Sequence, residues 1–255
     1  MIEMMRALLS TEITKLKHTS TLWLSVIFPA IVLILQFIAL LDQYSRGIPG
    51  PFRPLTSEWG IGLRQPWMVW TVAIMPILIS LEAVGLVSAE HAGKHWKQLY
   101  ALPIPRWSIF VAKTAVCALL TGVSLLLFSA GVLGLELLRS GLFHLHMASA
   151  IPWGLILRIC GGAYLASAAV IAVQMWLSMR FAGFAIPVGV ALACMIAAGT
   201  LGRVDLAGWW PWSMPADSLP FGVGHVPASM LVSPLAFSVI LVLGGWRLSR
   251  REVMP

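Results

Sequence analysis

Charge is what this chain has least of. Only 17 Lys and Arg and 10 Asp and Glu occur among 255 residues, a charged share of 11 %, where a soluble domain carries about 25 %. Set beside a hydrophobic share of 59 % and a mean hydropathy of +0.88, that scarcity excludes an ordinary water-soluble globule. Cysteine is nearly missing too. Cys117, Cys160 and Cys194 fall within or at the edge of apolar runs, with no Cys-x-x-Cys pair and no neighbouring His. They read as small buried hydrophobes rather than a disulfide framework or metal centre. No phosphate cradle of the form Gly-x-x-x-x-Gly-Lys-[Ser/Thr] is present, since Gly93-Lys94 is followed by His95 and lacks the upstream Gly, so ATP hydrolysis by this chain is not expected. His-Glu-x-x-His, Gly-x-Ser-x-Gly and paired-Asp motifs are absent as well. His144, His146 and His225 are too sparse to make a metal site. No catalytic residue, cofactor or metal is assigned to the chain.

What is present is apolar and long. Six stretches, at Thr21–Leu41, Trp67–Ala89, Ile109–Leu135, Ile159–Met179, Phe181–Gly202 and Ser229–Leu248, are each of a length to cross about 30 Å of hydrocarbon at about 1.5 Å per residue. Runs of this length read as helices, because backbone groups in lipid must bond within their own segment. The expectation is an all-α membrane protein with six transmembrane helices in one membrane domain over residues 1–255. No connecting segment exceeds about 25 residues, which leaves no room for a soluble domain. The first run follows a stretch of mixed charge without a small-x-small cleavage site, and reads as a retained span.

Charge placement sets the expected orientation. With both termini cytoplasmic, eleven of the seventeen basic residues, including Lys15, Lys94, Lys97, Lys113 and Arg250, lie inside. Asp42, Glu58, Glu136, Asp205 and Asp217 lie outside, as the positive-inside rule favours. The net charge of +7 then belongs to membrane lipid headgroups and topology, with no reason to invoke nucleic acid. Before the first span, Ile2, Met5, Leu9, Ile13 and Leu16 recur at steps of three and four. This predicts an interfacial amphipathic helix over 1–18, an anchor on the plainer reading and a lever on the functional one.

The segment 90–108 is the most distinctive. Glu90, Lys94, His95, Lys97 and Arg106 are interleaved with Trp96, Leu99 and Tyr100, and Pro103 and Pro105 stop any helix before the third span. It is too wet to span and too apolar to be a solvated loop, so it reads either as a membrane-parallel linker or as a short docking helix. Glu90…Gly93…His95-Trp96-Lys97…Leu99…Leu102-Pro103…Arg106…Lys113, together with Pro211-Trp212-Ser213-Met214-Pro215 before the last span, resembles the type-2 ABC exporter permeases. Within them it is similar to the lantibiotic-immunity and bacitracin-resistance branch. The resemblance implies a permease of a bacterial cytoplasmic (inner) membrane that pairs with a second permease copy, a homodimer being the simpler arrangement. It further implies that two copies of a P-loop ATPase subunit, carrying the ATP and Mg, dock on Glu90, Lys94, His95, Trp96, Lys97, Leu99, Tyr100 and Arg106.

Several residues inside or beside the spans invite a role. Glu82 lies well within the second span, where an ionised carboxylate costs on the order of 3 kcal/mol. It therefore needs a partner or a proton, and Gln174 is at a matching depth. Arg158 and Glu136 are expected to pair at the outer boundary. Gly161, Gly162, Ala166 and Ala169, and Gly183, Gly189, Ala193 and Ala197, allow close helix approach, and Pro29, Pro76 and Pro187 are expected to kink their spans. Segment 203–227 carries Trp209, Trp210 and Trp212, which reads as interfacial anchoring or as an outer gate. Two functions stay open: export of a hydrophobic or amphipathic molecule, a peptide antibiotic included, and a non-transporting membrane sensor or assembly protein that recruits a cytoplasmic partner.

Overall fold

The computed structural model describes residues 2–16, 19–47, 58–92, 105–143, 150–201, 209–220 and 228–249, and among these every regular element is helical. In order they are α1 (Ile2–Leu16), α2 (Thr21–Ser45), α3 (Glu58–Val69), a π-helical turn (Trp70–Ile74), α4 (Met75–Ala92), α5 (Arg106–Leu142), α6 (Trp153–Arg180), α7 (Ala185–Leu201), α8 (Met214–Asp217) and α9 (Ser229–Ser249). Among the described residues, five stretches are long and apolar enough to cross a membrane: Thr21–Ser45, Gly62–Ser88, Trp107–Leu142, Trp153–Arg180 and Ser229–Arg247. The remaining apolar run forms the 17-residue α7, about 25 Å long. It is shorter than expected because residues 181–184, around Gly183, are not helical.

The path of the chain follows from its contacts. At one end of the bundle, α1 meets the end of α4 and the start of α5 through Lys15–Glu90 and Lys113–Glu12 bonds. Here α6 also ends, its Ser178 carbonyl 3.0 Å from His91 Nε2. Helix α9 runs parallel to α6: Met230 packs on Gly162, and further along Gly244 lies against Phe110 and Trp176. It therefore finishes at the α1 end, and α7 carries the chain across between α6 and α9. Among the described residues the α6–α9 contact is the most extensive, closed by Ser233 Oγ, which accepts from Ala169 N–H (2.9 Å) and donates to the Ala166 carbonyl (2.7 Å). Close approach is possible there because Ala163, Ala166 and Ala169 are buried without bulk. The small residues of α7 are different: Gly189 and Ala193 face outward.

Prolines act according to their position. Pro187 falls in the first turn of α7, where a missing N–H has no intrahelical partner, so it initiates this helix rather than kinking it. Helix α2 continues through Pro29. Pro76 follows the π-helical turn, in which Met75 N–H reaches back to the Trp70 carbonyl. The wider turn relieves the steric and hydrogen-bond conflict that Pro76 would impose on Val72 one turn earlier. In α1 the expected apolar face is buried at Leu16 and partly at Met5 and Leu9, but not at Ile13. Leu16 and Glu12 are buried while Ile13 is 43 % exposed, a rotation set by the partners awaiting Glu12.

Candidate functional site

The contact between α2, α4 and α5 carries a line of polar groups through an apolar bundle. On α5 it is made by Lys113, Thr121 and Ser124, spaced at eight and three residues and therefore on one face. Facing them are Glu82 and Glu90 on α4, eight residues or about 12 Å apart along the helix.

At the α1 end, Lys113 is fully buried. Its Nζ donates to Glu12 Oε2 (2.9 Å), Glu90 Oε1 (2.9 Å) and the Leu86 carbonyl (2.8 Å), which uses all three ammonium protons. Lys15, half-exposed, reaches Glu12 Oε1 and Glu90 Oε1, both at 3.1 Å. Two carboxylates and two ammonium groups thus cancel, and three helices are tied at one point. Burial alone would push the Glu90 carboxyl up, but the Lys113 charge and hydrogen bonds from Lys113 and Lys15 outweigh it and hold Glu90 below its usual 4.5. For Lys15 burial acts downward, and the charges and bonds of Glu12 and Glu90 overcome it, so the group stands above its usual 10.5.

Deeper in, Glu82 is fully buried. Ser25 Oγ donates to Oε1 (2.8 Å) and Thr121 Oγ1 to Oε2 (3.1 Å), while Ser124 Oγ stands 3.5 Å from Oε1. The expected Gln174 partner is not one of them: Gln174 is buried on α6 with neither amide atom bonded. Three hydroxyls from α2 and α5 reach the carboxylate instead, because α4 turns Glu82 toward those helices. Next along the line, Phe128 stacks on Trp70 (centroids 4.3 Å, 14°) and meets Trp67 edge-on (5.3 Å, 76°), closing the contact with aromatic bulk. Beyond it Glu136 meets Arg139 at 3.6 Å, one helical turn away, and not the expected Arg158, which is exposed.

Of the docking residues expected in 90–108, Lys94, His95, Trp96, Lys97, Leu99 and Tyr100 lie outside the described residues, and Arg106 opens α5. Glu90 does not stand on a docking face. It is 3 % exposed and bound to Lys113 and Lys15. The three tryptophans expected at the outer side separate: Trp209 is 68 % exposed, Trp210 donates from Nε1 to the Cys194 carbonyl (3.0 Å), and Trp212 is buried. The adjoining α8 packs against α6, α9 and the π-helical turn, so residues 209–220 fold back onto the bundle. Glu12 is the residue that sequence reasoning missed. Its signal was an acidic side chain between Leu9 and Leu16 on the apolar face of α1, with the basic Lys113 one turn inside a span. Among the described residues, no group of His, Cys, Asp and Glu could hold a metal ion.

Comparison with known proteins adds one finding. The family model described as ABC-2 family transporter protein matches residues 8–198. No curated protein and no solved structure matches. The matched stretch begins in α1, ends in α7, and contains Glu12, Lys15, Glu82, Glu90 and Lys113. This chain belongs to the ABC-2 family of transporter proteins.

Proposed function

We propose that this chain is the permease subunit of an ABC exporter, driven by a separate ATPase and moving a hydrophobic or amphipathic molecule outward through the membrane. The observation that carries the reading is the buried charge knot. Glu90 and Lys113 stand on the two sides of segment 93–104, and both bind α1 through Glu12 and Lys15. A force applied to that segment by a docked subunit reaches α1, α4 and α5 together, since none can move without breaking buried ionic bonds. The path then leads along α4 and α5 past Glu82 to the aromatic stack. On this reading α7 is the sixth span, both termini are cytoplasmic, the membrane is a bacterial inner membrane, and the outer segment with Trp209, Trp210 and Trp212 closes the exit. Two permease copies and two ATPase copies form the working unit, with ATP and Mg bound by the ATPase. A peptide antibiotic is the cargo class that the resemblance to immunity permeases favours.

The test begins with a P-loop ATPase encoded beside this chain. Cysteines at Trp96 or Lys97 are expected to crosslink to it, and the copurified complex in lipid vesicles is expected to hydrolyse ATP faster with cargo. Copurification without any crosslink, or hydrolysis indifferent to every amphipathic peptide offered, would count against the exporter and toward a recruiting sensor.

A further inference from the structure

At the α1 end of the bundle, helices α4 and α6 and the connection 181–184 line a cavity of about 320 Å³, the room of roughly ten waters at about 30 Å³ each. It lies at headgroup level, because Ser88 and Arg180 are the last residues of their spans. Val84, Phe181 and Phe184 make its wall largely apolar, and Phe184 is 61 % exposed at its mouth. One polar residue of the wall is unsatisfied. Ser178 is 2 % exposed, and its Oγ has no hydrogen-bond partner. Its carbonyl is occupied by His91 Nε2 at 3.0 Å, so the contact between α4 and α6 uses the backbone of Ser178 and leaves the hydroxyl over. A buried hydroxyl without a partner is costly unless an occupant of the cavity supplies one.

Three properties of the surroundings narrow the occupant. The first is charge. Arg180 is exposed, makes no ion pair among the described residues, and holds its guanidinium carbon 5.9 Å from the centre of the Phe181 ring in the cavity wall. Glu90, next to His91 on α4, is already matched by Lys113 and Lys15, so the site is left positive. The second is the start of α7. That helix opens at Ala185, directly after Phe184, and among the described residues Val188 N–H reaches back to the Phe184 carbonyl at 3.3 Å. The N–H groups of this first turn and the positive end of the helix therefore stand beside the cavity. The third is the apolar wall at a membrane surface, which suits a hydrocarbon chain and not a bare ion. We propose that the cavity binds an anionic phospholipid, its phosphate accepting from the Ser178 hydroxyl beside Arg180 and one acyl chain lying along Phe181 and Phe184. A zwitterionic lipid offers Ser178 the same phosphate but brings a cation toward Arg180, and binds less well for that reason.

The experiment uses the full-length protein, delipidated in detergent and titrated with phosphatidylglycerol or phosphatidylcholine of identical acyl chains, with bound lipid counted by native mass spectrometry. Phosphatidylglycerol is expected to bind about fivefold more tightly, the scale of one basic side chain at an anionic surface. Arg180→Gln removes that preference, whereas Arg247→Gln, at an exposed position on the same end of the bundle, leaves it intact. Ser178→Ala weakens both lipids about tenfold, the scale of one hydrogen bond to a charged group. A lipid with a photoreactive group on its acyl chain labels the peptide that carries Phe181 and Phe184. Equal affinity for the two lipids, equal losses in Arg180→Gln and Arg247→Gln, no effect of Ser178→Ala, or labelling confined to other peptides overturns the site. Inorganic phosphate and soluble glycerophosphoglycerol are expected not to compete, and displacement by either at concentrations matching the lipid would overturn the membrane source. None of these measurements involves an ATPase, so their failure leaves the permease reading as it stands.

Discussion

Replacing Lys113 by methionine removes the centre of the charge knot while keeping a chain of similar length on α5. The wild-type ammonium is fully buried and makes three bonds of 2.8–2.9 Å. Without it, Glu12 and Glu90 share one site with only Lys15 for compensation, and Lys15 is 43 % exposed on its side chain. Removing one partner of a buried ionic pair costs about 3–5 kcal/mol, mostly from the charge left behind. At about 1.4 kcal/mol per tenfold, the undocking equilibrium of α1 rises by roughly two to three and a half decades. A cysteine at Leu16, 5 % exposed in the docked state, reports that equilibrium through its maleimide labelling rate in membrane vesicles. Labelling is expected to accelerate strongly in Lys113→Met. Glu12→Gln in the same chain should restore part of the protection, because it removes one stranded carboxylate, giving a clear non-additivity. Unchanged labelling in Lys113→Met, or fully additive effects with Glu12→Gln, would refute the knot as the joint that holds α1.

Three further outcomes follow from the same geometry. The pH dependence of α1 docking has a defined sign: the depressed Glu90 contributes stability above its usual 4.5, lost as pH falls through its folded value, and the raised Lys15 contributes below its usual 10.5, lost as pH rises through its folded value. Leu16Cys labelling is therefore slowest across the middle of the range and faster at both extremes, and a flat profile contradicts this. Glu82→Leu strands the Ser25 hydroxyl, a cost of about 1–3 kcal/mol, whereas Thr121 and Ser124 fall back on the Cys117 and Leu120 carbonyls at 3.0 Å each. Glu82→Gln retains an acceptor and should melt closer to wild type than Glu82→Leu in a thermal unfolding series. Gly85→Ala places a methyl on Thr21 Oγ1, an overpacking of about 1–3 kcal/mol, and Thr21→Ala introduced alongside should recover most of the lost thermal stability.

Five of the six spans and the all-helical class of fold were legible in the residues alone. They depend on local quantities, since a run of about 20 apolar side chains meets the hydrocarbon thickness wherever it sits. Pairings were not legible in the same way. Glu82 was recognisable as a carboxylate in need of partners, but the rotation of α4 decided between Gln174 on α6 and the hydroxyls of Ser25, Thr121 and Ser124. Periodicity put Ile13 on the apolar face of α1, yet Ile13 is exposed and Glu12 buried, because Lys113, 101 residues away in sequence, supplies a bond that apolar patterning does not register. Segment length and hydropathy are sums along the chain, and the sequence alone determines them. Which polar groups meet inside the bundle depends on helix rotation and order, and only the packed tertiary structure decided that.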